Sequence, residues 1–147
     1  MLVKLPQHLN APETGWTTAS FAIQPDAQCQ LCGKKHIRKV FTMEHSNYRT
    51  LHVGSVCASK MGSDMDWGDP NRTNRLINWM KKEWYTSKQN NNMTITKTIA
   101  GRKNTFTTTY NRRRGYKLKI NGTVINRWFK DFKDIQLIVF KIIERNN

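Results

Sequence analysis

Three cysteines constrain this chain more than anything else in it: Cys29-Gln30-Leu31-Cys32-Gly33, then, after a basic and β-branched stretch, Cys57. Two cysteines three apart with a following glycine form a knuckle, in which both thiolates and the nearby backbone amides turn toward one point. Disulfides fit poorly, because pairing two thiols leaves the third over. Three thiolates and one imidazole instead complete a tetrahedral Cys3His set, the donor chemistry of a structural Zn²⁺. The spacing therefore predicts a closed zinc site that staples a small fold.

Such a staple suits the length. At 147 residues the chain is one domain or two small ones, and each half alone is short of hydrophobic core. The fourth ligand has to come from His36, His45 or His52, since Lys60 and Met61, the positions after Cys57 where a second helical ligand would fall, are not zinc donors. His45 closes the first strand of the hairpin that follows the knuckle and His52 lies on the returning strand. Geometry read from sequence does not separate these two.

The formal charge of +15 is distributed very unevenly. Residues 1–70 hold 7 Lys/Arg against 6 Asp/Glu, and residues 71–147 hold 18 against 4. Metal-bound thiolates would bring the first part to near neutrality. The positive field thus belongs to the second part, and a field this one-sided implies a polyanionic partner, most often nucleic acid. No segment approaches the roughly 20 apolar residues of a membrane span, and Met1–Asn10 lacks the apolar run of a signal peptide. The expectation is a cytoplasmic protein with no membrane partner.

The predicted architecture is α+β, a zinc module followed by a three-stranded antiparallel sheet packed on a C-terminal helix. Residues 1–28, with Pro6, Pro12 and Pro25, read as an extended arm anchored by Trp16 and Phe21. Residues 29–68 carry the knuckle, a hairpin (37–44 and 50–53) and a short helix opened by Gly54 and Ser55. Asp69-Pro70 starts an amphipathic connecting helix over 69–86 with Leu76, Ile77, Met80 and Trp84 on one face. The asparagine run within Ser87 to Asn92 marks a boundary. Residues 94–147 form the basic βββα part: Phe106, Thr108 and Tyr110 alternate, Asn111 to Gly115 turn the chain, and Asn121-Gly122 predicts a type I′ hairpin that sets Ile120 against Thr123 and Leu118 against Ile125. That register gives one face Tyr116, Leu118, Ile120 and Ile125, and the other Lys117, Lys119, Val124, Asn126 and Trp128. A final helix over about 131–144 has an apolar surface wider than one sheet needs, so it should touch another element, either the zinc part or a second copy of the chain.

Knuckle, hairpin and ligand-bearing helix occur in the order of a treble-clef zinc finger. The stretch from Cys29 to Met61, with Met43-Glu44-His45 and Val53-Gly54-Ser55-Val56-Cys57-Ala58, resembles a group of small, largely uncharacterised zinc-finger proteins of bacteria and phages. That resemblance implies His45 as the fourth ligand and no particular activity. Separately, Phe106 to Ile143 is similar to the three-strand-plus-helix DNA-binding domains of ethylene-response factors and integrase arm-binding domains. It implies a sheet that enters the major groove, with Lys117, Lys119, Asn126 and Trp128 outward and Arg112, Arg113 and Arg114 in the preceding turn.

The leading expectation is a non-enzymatic nucleic-acid-binding protein, DNA favoured over RNA, with Zn²⁺ held by Cys29, Cys32, His45 and Cys57. An alternative is a phage-type effector that puts the same basic face on a host protein or ribonucleoprotein. A catalytic zinc with Glu44 as base is disfavoured, because Glu44 and His45 are adjacent in a strand and point to opposite faces. A metal-dependent nuclease is disfavoured as well, because Asn71, Asn74 and Asn78 lack a partnered Asp-His pair.

Overall fold

The computed structural model describes residues 11–146, and the chain divides into two compact units, Met1–Arg75 and Leu76–Asn147. In the first, β1 (Thr17–Ala27), β2 (Ile37–His45) and β3 (Tyr48–Val53) form an antiparallel sheet in that order, followed by α1 (Ser55–Lys60). Register aligns the apolar positions into rows: Phe21 opposes Phe41, which opposes Val53, and Met43 opposes Leu51. All five are buried, and the Phe41 ring lies 4.9 Å from Phe21 and 4.8 Å from Trp67 between centroids. Trp67 satisfies its buried indole N–H on the Thr18 hydroxyl at 2.8 Å.

The expected arm over residues 1–28 is corrected here as far as it is described, residues 1–10 lying outside the described range. Thr17–Ala27 is an edge strand, and Trp16 and Phe21 are core residues, as anchors should be. Pro25 does not prevent this. It falls where the β1–β2 register shifts between Ile23 and Ala27, on the edge strand, where a missing N–H removes no ladder bond.

The second unit is built on an antiparallel meander of five strands, β4 (Tyr85–Thr86), β5 (Met93–Ile99), β6 (Arg102–Asn111), β7 (Gly115–Ile120) and β8 (Thr123–Phe129), closed by α3 (Phe132–Asn146), which packs on β7 and β8. The expected three strands are therefore five. The asparagine run is a hairpin turn between β4 and β5 rather than a linker: Ser87 N–H donates to the Asn92 carbonyl at 2.8 Å, and Asn91 takes a φ of 60°. The Asn121-Gly122 turn forms as predicted, with φ of 51° and 85°.

Helix α2 (Pro70–Met80) starts as its sequence dictates, Asp69 Oδ1 accepting the Asn71 N–H at 2.9 Å. It ends at Met80, short of the predicted 86, and the division between units falls inside it. Its C-terminal end supplies what the wide apolar surface of α3 needs. Trp79 Nε1–H donates to the Gln136 carbonyl at 2.9 Å, and Trp84 meets Phe132 edge-on at 5.2 Å. No described helix is long and apolar enough to cross a membrane.

Candidate metal centre and basic sheet face

The knuckle is folded by its own backbone. Gly33 N–H donates to the Cys29 carbonyl and Cys29 N–H to the Lys34 carbonyl, both at 2.9 Å, with Gly33 at φ 79° where a side chain would be strained. Gln30 ties this loop to β3 twice: its N–H donates to the His52 carbonyl at 2.9 Å and its Oε1 accepts the His52 N–H at 2.8 Å. Gly54 caps α1 and puts Cys57 in the first turn of that helix. Loop and helix thereby bring the sulfurs of Cys29, Cys32 and Cys57 within 4.8 Å of one another, Cys29 and Cys57 buried and Cys32 partly so. Tetrahedral thiolates about 2.3 Å from zinc stand about 3.8 Å apart, so three clustered cysteines like these can bind such an ion.

Charge points the same way. Cys29 is held down to about 4, chiefly because it accepts the Cys57 S–H, with burial opposing and the N–H groups of Cys32, Gly54 and Leu31 assisting. Cys57 is pushed up by giving that hydrogen bond, and by burial. Cys29 and Cys57 thus share a proton because two adjacent thiolates are not both stable there uncompensated, and a divalent cation would take over that role.

Among the described residues the cluster comprises the three cysteines alone: His45, the ligand expected from the resemblance, is not in it, and neither are His36 and His52. The Nε2–H of His45 donates to the Thr14 carbonyl at 2.9 Å, its Nδ1 accepts the Asn47 N–H at 2.9 Å, and its ring sits 5.1 Å from that of Trp16. Gly15 leaves room for it, since a Cβ there would stand 2.9 Å from Nε2. His52 is exposed, with Nδ1 3.0 Å from the Thr42 hydroxyl. His36 alone of the three lines the cavity of about 220 Å³ onto which the cysteines open, with its Nδ1 2.5 Å from the Asp26 carboxylate.

In the second unit the pairing defines a face. Thr94, Thr107, Lys119 and Val124 form one cross-strand row, and Thr109, Lys117 and Trp128 a second, with Thr96 beside Thr105 and Thr98 beside Lys103. None of these is buried, whereas Ile99, Phe106, Leu118 and Phe129 on the opposite face are. The outward set expected for Lys117, Lys119 and Trp128 is thus on one uncovered face.

Leu118 does not oppose Ile125. The register shifts, so that Lys117 pairs with Trp128 and Lys119 with Val124, leaving Ile125, Asn126 and Arg127 as a bulge opposite Leu118. Asn126 is exposed at the middle of that bulge. The Trp128 ring is partly occupied by this chain's own cations, Lys117 Nζ 4.8 Å and Arg114 5.8 Å from its centroid. Arg112, Arg113 and Arg114 are exposed in the β6–β7 turn, which Asn111 Oδ1 holds by accepting the N–H groups of Arg113 and Arg114 at 2.9 and 3.1 Å. The threonine hydroxyls and Lys103 were missed as members of this face. The signal was there, as threonine at every second position over 94–98 and again over 105–109.

Comparison with protein-family models, with curated proteins and with solved structures finds no match for this chain, so the two resemblances rest on their motifs alone and what is shown is the three-cysteine cluster itself.

Proposed function

We propose that this is a nucleic-acid-binding protein that meets phosphates with the uncovered face of its five-stranded sheet, while a structural Zn²⁺ holds the first unit together in the manner of a treble clef. The observation that carries the reading is the coincidence of that face with the charge: Lys103, Lys117, Lys119 and the Arg112–Arg114 turn lie on or beside it, in a segment with 18 Lys/Arg against 4 Asp/Glu. Hydroxyls interleaved with ammonium groups give phosphate oxygens both donors and counter-charge. Packing of Lys117 and Arg114 on Trp128 limits their side-chain freedom before a ligand arrives, which lowers the ordering cost of binding.

Zinc is assigned to Cys29, Cys32 and Cys57, with His36 as the fourth donor. Its Nδ1–H, donated to Asp26, leaves Nε2 as the lone-pair nitrogen, the arrangement in which a carboxylate orients a zinc-bound imidazole. Nothing in this reading requires catalysis. Duplex DNA is the first ligand to test, because of the resemblance to sheet-binding DNA domains.

Salt-titrated binding to random duplex DNA, single-stranded DNA and RNA checks the reading. The logarithm of affinity should fall linearly with the logarithm of salt, by about 0.9 per phosphate contacted on duplex. Lys117→Ala with Lys119→Ala should weaken binding and flatten that slope by roughly 2. Unchanged binding in this double variant would remove the sheet face from the proposal. An absence of binding to all three polymers, with tight capture of one host protein or ribonucleoprotein, would favour the effector reading instead.

A further inference from the structure

The sheet face proposed for phosphates also carries an aromatic ring that phosphates do not need. Tyr85 opposes Thr94, Thr94 opposes Thr107, Thr107 opposes Lys119 and Lys119 opposes Val124, so one row of side chains crosses all five strands. Directly opposed residues of an antiparallel sheet share a face, which puts Tyr85 on the uncovered side with the lysines. Tyr85 is 71% exposed, and no ring or cation lies against it among the described residues. Trp128, the other aromatic of this face, already holds Lys117 and Arg114 against its ring. Tyr85 is the open one.

Its neighbours decide what such a ring can meet. On β5 and β6 the outward positions over 94–98 and 105–109 are all threonine, and the hydroxyls of Thr94 and Thr107 stand 3.3 Å apart. A threonine side chain ends one bond beyond Cβ, so the middle of the face is shallow. The major groove of duplex DNA is about 8.5 Å deep, beyond the reach of these side chains, and a base inside a duplex has both of its faces covered by its neighbours. An unpaired strand presents neither obstacle: its phosphates can lie on hydroxyls and ammonium groups while a base turns onto the ring. Three strand spacings of about 4.8 Å, about 14 Å in all, separate Tyr85 from Lys119, so one strand laid across the sheet meets both.

We propose that this face takes single-stranded nucleic acid, with an unpaired base stacked on Tyr85 and the adjoining phosphates on Lys119 and the threonine hydroxyls. The inference rests on the nucleic-acid reading above and narrows it from a polyanion to an unpaired strand. A duplex would be held by its phosphates alone.

The test uses the full chain and labelled ligands of equal length: a single-stranded DNA, a single-stranded RNA of the same sequence, the deoxyribose phosphate backbone without bases, and the duplex. Single strands should bind more tightly than the backbone without bases. Tyr85→Ala should weaken single-strand binding by about 5- to 150-fold, the range one stacked base supplies, and leave its salt slope unchanged because no phosphate contact is lost. The same variant should bind the base-free backbone and the duplex as the parent does, which shows the sheet intact, and Tyr85→Phe should keep the parent's affinity because stacking uses the ring. Of DNA and RNA, the strand that binds more tightly identifies the sugar of the ligand. Unchanged single-strand affinity in Tyr85→Ala, an equal loss for all four ligands, or a parent that prefers the duplex overturns the stacking site; where Lys117→Ala with Lys119→Ala still weakens binding and flattens the slope, the phosphate reading survives that failure. No binding to any of the four removes that reading and the stacking site together.

Discussion

His45 and His36 differ in what their ring nitrogens have left to give. Both nitrogens of His45 are committed, one to Thr14 and one to Asn47, so ligation would first have to break a contact that pins the N-terminal approach to β2. His36 commits one nitrogen to Asp26 and sits at φ 61°, a conformation a non-glycine residue adopts at some cost. Loaded with Co²⁺ in place of zinc, the parent should therefore show three-thiolate, one-imidazole ligand-field bands. His36→Ala should alter those bands and weaken metal affinity by about 10- to 100-fold, whereas His45→Ala should leave the bands unchanged and only lower the melting temperature. Unchanged bands in His36→Ala with lost imidazole character in His45→Ala would reverse the assignment. The three cysteines were legible in the sequence because a knuckle is a local object, fixed by spacing and a glycine. The contacts of His45 were not, because its ring meets Thr14, 31 residues away.

At the level of elements, the turns carry the register of the five-stranded sheet, and two glycines show how unequally. Gly122 has φ 85° with nothing within 4 Å of where a Cβ would stand, so Gly122→Ala meets only the backbone preference, about 1 kcal/mol. Gly115 has φ 98°, and a Cβ there would lie 2.2 Å from the Phe129 carbonyl oxygen, a backbone atom that cannot turn aside. Gly115→Ala must part β7 from β8, and should cost about 3 kcal/mol or more. Hydrogen exchange at the Leu118 amide reads the difference directly, with a far larger loss of protection in Gly115→Ala; equal losses would mean that the β7–β8 contact is not rigid. Asn121-Gly122 could be read from sequence since two adjacent residues specify a type I′ turn. β1, β4 and β5 could not, for reasons that are physical. Pro25 and an asparagine run ordinarily end structure, and here one sits at an edge-strand irregularity while the other is the turn itself. The shift opposite Leu118 was equally hidden, since a bulge leaves the apolar alternation of β7 intact and changes only its partner.

Across the whole molecule, the division of labour between metal and hydrophobic burial differs between the two units, and chelation should expose it. The second unit buries Phe106, Leu118, Ile135 and Leu137 at 0 or 1% exposure between a five-stranded sheet and α3 and contains no cysteine, so its core stands without metal. Each such side chain contributes roughly 1.5–3 kcal/mol of burial. In the first unit α1 is only 6 residues long, too short to be stable by itself, and it is fastened to the knuckle by the cysteine cluster. Removing a bound metal there leaves three sulfurs within 4.8 Å of one another to share protons in a buried setting. Stripping with a strong chelator should therefore speed hydrogen exchange at Ala58 and Leu51 while the amides of Phe106 and Leu118 keep their protection, and readdition of Zn²⁺ should restore the first set with release of protons. Because the lysines and arginines of the sheet face lie in the unit that persists, chelated protein should keep most of its salt-dependent affinity for nucleic acid. Loss of that affinity in step with the Ala58 amide would instead place the binding surface, or part of it, on the metal-held unit.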